Sequence, residues 1–142
     1  MGATLRSACF LGAAAVVISP KNSSPLTPAV SRASAGALEL LSASGRLAFS
    51  HGPLPNLLNS LSKEANFDVV GTVVSGRDVV TLDNAERKGN TAIVFGSEGR
   101  GLRTMVRRAC STLVTMPAAL GAGPVDSLNV SVASALVMNR YL

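Results

Sequence analysis

Aromatic residues are scarce in this chain: no Trp, one Tyr and four Phe, 4% of the sequence. A surface of stacking rings for single-stranded nucleic acid cannot be built from so few. The single histidine, His51, lies in a Ser-His-Gly-Pro stretch of loop character, and one histidine does not assemble a metal centre, so it reads as structural. Cys9 and Cys110 are the only cysteines, and they show no zinc or redox spacing, which suits a reducing compartment. Charged residues make up only 15%, with eight acids against thirteen bases. The apolar run Ala8 to Ile18 is too short to span a bilayer and is not followed by a clean small-x-small cleavage site. Arg6 stands where a myristoylation signal needs Ser or Thr.

What is present describes one globular domain. The length of 142 residues suffices for a single core, and 47% of them are apolar. The net charge of +5 and a pI near 10 favour an anionic partner, nucleic acid before an acidic membrane surface. Residues 1–38 carry Arg6, Lys21 and Arg32 without an acid, a composition shared with organelle transit peptides. The same stretch also reads as folded, with a helix over Gly2 to Leu11 and a short buried strand over Ala13 to Ser19.

Further along, the pattern predicts a helix from Pro28 to Leu41 and a strand ending near Phe49. A helix over Pro55 to Ala65 follows, with Leu57, Leu58 and Leu61 at helical spacing. Asp68 to Val74 reads as a buried strand interrupted by Gly71, a mark of close approach. Val79 to Leu82 suggests a short strand, Thr91 to Phe95 another, Arg100 to Ala109 a helix and Thr112 to Met116 a strand. A nearly all-apolar helix runs from Ser127 to Leu142; without a polar stripe it must be buried in the core or against a second subunit. Alternating strands and helices specify an α/β domain with a mostly parallel sheet.

The turn Gly96-Ser97-Glu98-Gly99-Arg100-Gly101 joins a strand to a helix, where backbone N–H groups converge and phosphate binding is the first hypothesis. Its spacing fits neither a P-loop nor Gly-x-Gly-x-x-Gly, and Glu98 would repel phosphate. A neutral or cationic ligand, or a helix cap, suits it better. Arg100, Arg103 and Arg107 fall on one helical face beside Arg108, either a solvated face or a grip on an RNA backbone. Ser127 or Asp126 can cap the last helix, while Asn129 just inside it either caps or contacts a ligand.

Three segments together resemble the SpoU/TrmH family of RNA ribose 2′-O-methyltransferases, of the SPOUT class. Gly96 to Leu102, Met116-Pro117 and Ser127-Leu128-Asn129-Val130-Ser131-Val132-Ala133 look like its second and third motifs, and Gly2 to Ala8 like most of the first. Asn22 to Pro28 and Ser34 to Ala37 are similar to the segment that follows, most closely in the mitochondrial large-subunit rRNA branch. This order and spacing favour the folded reading of the N-terminus, because cleavage would remove the first motif.

The resemblance implies a parallel sheet whose C-terminal segment threads a trefoil knot, an exception to unknotted topology. It also implies a homodimer with composite sites and S-adenosyl-L-methionine bound mainly by main chain. Cofactor contacts carry over to Thr72, Gly96, Glu98, Gly99, Met116, Pro117, Ser127 and Leu128. Catalytic roles carry over to Arg6, Glu98, Ser127 and Asn129, and RNA contacts to Arg6, Arg100 and Arg103, with no metal and no membrane. Arginine stays protonated, so Arg6 is expected to stabilise a developing 2′-alkoxide rather than act as a free base. The expected RNA is rRNA before tRNA, and the expected compartment is the mitochondrion or another organelle, otherwise the cytoplasm.

The first motif's Asn, two residues before its glycine, has no counterpart ahead of Gly2, and the loop Ala118 to Asp126 is long for the family. One catalytic domain over 1–142, lacking its first strand, is therefore expected. A catalytically weak RNA-binding or assembly relic of the same fold is the alternative.

Overall fold

Gly2–Phe10 is the first helix (α1), and its Gly2, Leu5 and Ala8, spaced by three, are its buried face. In the computed structural model, residues 1–20, 23–97, 99–119 and 127–142 are described. The chain forms two compact units, Met1–His51 with Ser131–Leu142, and Gly52–Val130.

In the first unit α1 packs against two short helices, α2 (Pro28–Ser34) and α3 (Ala37–Ala43). The single helix expected over 28–41 is broken, because Ala35 and Gly36 both take left-handed backbone angles, φ 50° and 87°. Buried Ser34 staples the break: its hydroxyl donates to Ser31 O at 2.7 Å and accepts from Leu38 N–H at 3.2 Å. Strands β1 (Val16–Ile18) and β2 (Leu47–Phe49) pair in parallel, β1 being shorter than the run Ala13 to Ser19 suggested. The Arg46 guanidinium donates to Ala13 O and holds the turn that leads into β1. The terminal helix of this unit, Val130–Tyr141 by its full bounds, starts three residues later than expected. It buries Ser134, Val137, Met138 and Tyr141 but leaves Val132 and Leu136 about half exposed, 49% and 48%. It is thus not enclosed on all sides.

The second unit begins with α4 (Leu54–Glu64), with Pro53 at its N-cap and Pro55 in its first turn, and it ends before Asn66, whose φ is 54°. Strand β3 (Asp68–Thr72) is buried over four of its five residues, the pattern of a strand covered on both faces. The remaining strands are β4 (Val80–Thr81), β5 (Thr91–Val94) and β6 (Thr112–Thr115). They form one sheet in the order β4-β6-β3-β5, and every pair is parallel. A one-turn 3-10 helix, Leu82–Asn84, follows β4. Helix α5 is only Thr104–Arg108, so Arg100 lies in the preceding turn and Arg103 caps the helix instead of riding its face. We number the terminal helix α6.

The core of this unit is Leu58, Val69, Val94 and Val106, with Leu54, Ala92, Leu102, Ala109 and Cys110 packed against it. Gly71 admits that packing. A Cβ there would lie 2.7 Å from Cys110 Sγ, 2.8 Å from Leu102 Cδ1 and 3.0 Å from Leu113 Cδ2. Gly71→Ala should therefore overpack the sheet and lower stability by about 1–3 kcal/mol. Urea denaturation checks this, and Gly71→Ala combined with Cys110→Ala should recover part of the loss.

Candidate functional site

Ligands of parallel α/β sheets gather at the carboxyl ends of the strands, where the connecting loops diverge. In the second unit, β5 and β6 flank β3, with Gly71 opposite Val94 on one side and Leu113 on the other. The parallel register therefore puts Thr72, the Phe95-Gly96 exit and the Met116-Pro117 exit at one edge. Cross-strand bonds tie this edge together: Thr72 Oγ1–H donates to Val94 O at 3.2 Å, Val73 N–H to Val114 O at 2.9 Å, and Thr115 Oγ1–H to Val74 O at 2.7 Å.

The glycine turn closes on itself. Ser97 N–H donates to Gly101 O at 3.3 Å and Gly101 N–H to Ser97 O at 2.9 Å, an isolated antiparallel bridge. Gly96 must lack a side chain, since a Cβ would lie 2.6 Å from Leu102 N and 2.7 Å from Gly101 Cα. Gly99 and Gly101 take φ of 80° and 60°, angles that cost most residues 1–3 kcal/mol. The edge is thus lined by main chain, and Thr72, Gly96, Gly99, Met116 and Pro117 bring no charge to it.

Thr72, Gly96 and Met116 are half-buried, while Gly99, Arg100, Arg103 and Pro117 are exposed. Ser127, Leu128 and Asn129 are exposed, and they precede α6 instead of lying within it. Asn129 is therefore no buried amide. Arg6 lies exposed on α1, in the other unit. Glu98, Asn22 and Asp126 fall outside the described residues. Sequence reasoning missed Gly101 and Leu102 as the backbone wall behind Gly96; the left-handed glycines of the turn were the available signal. Two depressions of about 520 and 360 Å³ occupy different ground. They are lined by residues such as Asn66, Asp68, Lys88 and Ser111, none of them expected in the site.

The opposite edge of the sheet is also pinned. Ser111 Oγ–H donates to Asp68 Oδ1 at 2.5 Å, and Val69 N–H donates back to Ser111 Oγ at 2.9 Å. Next to it, burial pushes the Cys110 thiol up to about 11, and its Sγ lies 3.2 Å from Val106 O. The thiol is a packing group and not a nucleophile. With the folded value above the unfolded one near 9, its stabilising effect is complete below pH 9 and fades as pH rises toward 11. Iodoacetamide at pH 8.5 should leave Cys110 unlabelled in the folded protein and label it in denaturant, read by mass spectrometry. Among the described residues no helix is long and apolar enough to cross a membrane, and no three His, Cys, Asp or Glu cluster as metal ligands.

The SpoU rRNA Methylase family profile matches residues 1–139. The 23S rRNA (guanosine-2′-O-)-methyltransferase RlmB of Pseudomonas syringae is 37% identical over 147 aligned residues, covering 100% of this chain and 52% of the relative. The mitochondrial rRNA methyltransferase 1 of Schizosaccharomyces pombe is 39% identical over 145, covering 97% of this chain and 45% of the relative. The chain thus spans about half the length of these relatives. Among solved structures, the SpoU methyltransferase AviRb of Streptomyces viridochromogenes, in complex with AdoMet, superposes with a TM-score of 0.77 at 24% identity. That superposition covers 98% of this chain and 50% of AviRb. An α/β architecture with parallel sheets is common to both, and by its sequence this chain belongs to the SpoU rRNA Methylase family.

Proposed function

We propose that this chain is the catalytic domain of an S-adenosylmethionine-dependent methyltransferase that modifies a ribose 2′-oxygen in structured rRNA. The observation that carries the reading is the main-chain-lined edge, without charge among the described residues, where Thr72, Gly96 and Met116 meet in the second unit. Such an edge suits a neutral purine and a sulfonium cation better than a phosphate. AviRb, whose fold is similar, holds AdoMet, and the named relatives are rRNA methyltransferases.

In this reading Gly96, Gly99, Met116 and Pro117 present main chain to the cofactor, with Thr72 and Leu128 beside it and Glu98 and Ser127 in support. The bound cofactor supplies a methyl group on a sulfonium. What remains for the protein is to hold the 2′-hydroxyl in line and to stabilise the charge that develops on its oxygen. Arg6, exposed and always protonated, takes that second task, with Asn129 and Ser127 orienting the ribose. Arg100 and Arg103 contact the RNA backbone. The C-terminal segment forms the trefoil knot of the class. The likeness to the yeast mitochondrial enzyme supports an organelle as the compartment, and the bacterial relative at similar identity supports the cytoplasm.

A second copy of the chain covers the apolar side of α6. Val132 and Leu136, one helical turn apart and about half exposed, form an apolar stripe of the kind that interfaces bury. Val132→Glu with Leu136→Glu should convert a dimer to a monomer in analytical ultracentrifugation, with helical content kept.

Isothermal titration with S-adenosylmethionine should show saturable one-site binding, and its absence would defeat the reading. Arg6→Ala should keep that binding and lower methyl transfer to an rRNA fragment by about 10²–10³-fold, the range for loss of one oxyanion-stabilising donor. Unchanged transfer would remove Arg6 from the chemistry.

A further inference from the structure

Arg107 is held in a seat that its place on α5 does not explain. It is half-buried, and its guanidinium lies against the backbone of Gly76, in the connection between β3 and β4. A Cβ built on Gly76 would overlap Arg107 Nη2 and come within 3.1 Å of Cζ. The φ of Gly76, 152°, favours glycine as well. The connection therefore leaves room for the arginine head.

Among the described residues no carboxylate answers this cation. Among the described residues, Arg107 and its neighbours Arg77, Arg100 and Arg108 have no ion pair and no side-chain hydrogen bond. Asp78, the one acid of the connection, is exposed and pairs with none of them. A half-desolvated guanidinium with five donors and no acceptor is costly until an anion arrives. Its planar fork, already placed beside Gly76, gives up little freedom when it binds a phosphate bidentately. Arg103 lies one helical turn before it on α5, its O accepting Arg107 N–H at 2.8 Å, and Arg77 follows Gly76 directly.

We propose that Arg107, seated on Gly76 and joined by Arg77, is a binding site for backbone phosphates of the RNA substrate, apart from the main-chain edge that takes the cofactor. The site rests on the methyltransferase reading for its partner, but its chemistry is phosphate recognition and not methyl transfer. A phosphate contact carries no base information, so the site positions the RNA and does not choose the nucleotide.

The test compares the full chain with Arg77→Ala, Arg107→Ala, Arg107→Lys and, as a control for lost charge, Lys63→Ala at the end of α4. Binding of a structured rRNA fragment is followed by fluorescence anisotropy between 50 and 300 mM KCl, with calorimetry of S-adenosylmethionine in parallel. Arg107→Ala and Arg77→Ala should each reduce the slope of log K against log salt by about 0.7–0.9, the release from one phosphate. Arg107→Lys should keep the slope yet weaken binding several-fold, since a point charge replaces the fork. Lys63→Ala should change neither, and cofactor affinity should be the same in all. Should Arg107→Ala fail to fold, exposed Arg77 carries the same test. Slopes unchanged in both alanine variants, or equal displacement of RNA by polyglutamate, would overturn the phosphate site while leaving the cofactor reading intact. Loss of cofactor binding by the unaltered chain would instead overturn the methyltransferase reading.

Discussion

The second unit depends on β3 having a parallel neighbour on each side. Because β5 and β6 both run with it, their exits and its own open on one edge, and no other pairing would bring Thr72, Gly96 and Met116 together. A strand so enclosed has no solvent face, which is why Val69 and Val70 are fully buried and why bulk has to be removed somewhere. It is removed at Gly71, where Leu102, Cys110 and Leu113 converge. Leu102 is also the residue whose backbone walls in Gly96, so the packing under the strand and the shape of the turn above it share one side chain's position.

The two ends of the sheet are built from different materials. The amino end is fixed by side chains: Ser111 bonds to Asp68 and to both backbone groups of Val69, which locks the register of β6 on β3. Each such bond contributes about 0.5–1.5 kcal/mol, and together they make a register slip unfavourable. The carboxyl end has only the Thr72 and Thr115 hydroxyls bonded to neighbouring carbonyls, and its exits are main chain and glycine. Rigidity at one end allows the other to consist of exposed loops without losing its geometry, the usual division between scaffold and site.

Much of this was legible in the residues. β3, β5 and β6 are short apolar runs rich in β-branched residues, and α4 announces itself by Pro55 and the spacing of its leucines. The Gly96 to Gly101 turn was legible as a junction after a strand because its glycines are closely spaced, and the structure gives Gly99 and Gly101 left-handed angles and leaves no room for a Cβ at Gly96. What stayed hidden has physical causes. Ala35 is a strong helix former, so a break there is dictated by tertiary packing and the Ser34 staple and not by local preference. Arginine also favours helix, which extended the expected α5 back to Arg100, whereas the Ser97–Gly101 bridge holds those residues in a turn. Apolar composition alone could not say that α6 keeps Val132 and Leu136 uncovered, since burial depends on what packs against each side. The seat of Arg107 on Gly76 joins residues far apart in sequence, and no periodicity reports such a contact.

The proposed function asks one small unit to take two ligands of opposite sign. Seven of the thirteen basic residues lie between Arg77 and Arg108, among four acids, yet none occupies the strand exits Thr72, Gly96 and Met116. A cation placed at those exits would repel the sulfonium, at roughly 4 kcal/mol for a 4 Å separation near a protein surface. Among the described residues the exits carry no charge and the arginines are confined to the turn, α5 and the Gly76 connection, which avoids that penalty. The Debye length of about 8 Å at physiological salt lets these neighbouring regions keep separate electrostatic characters.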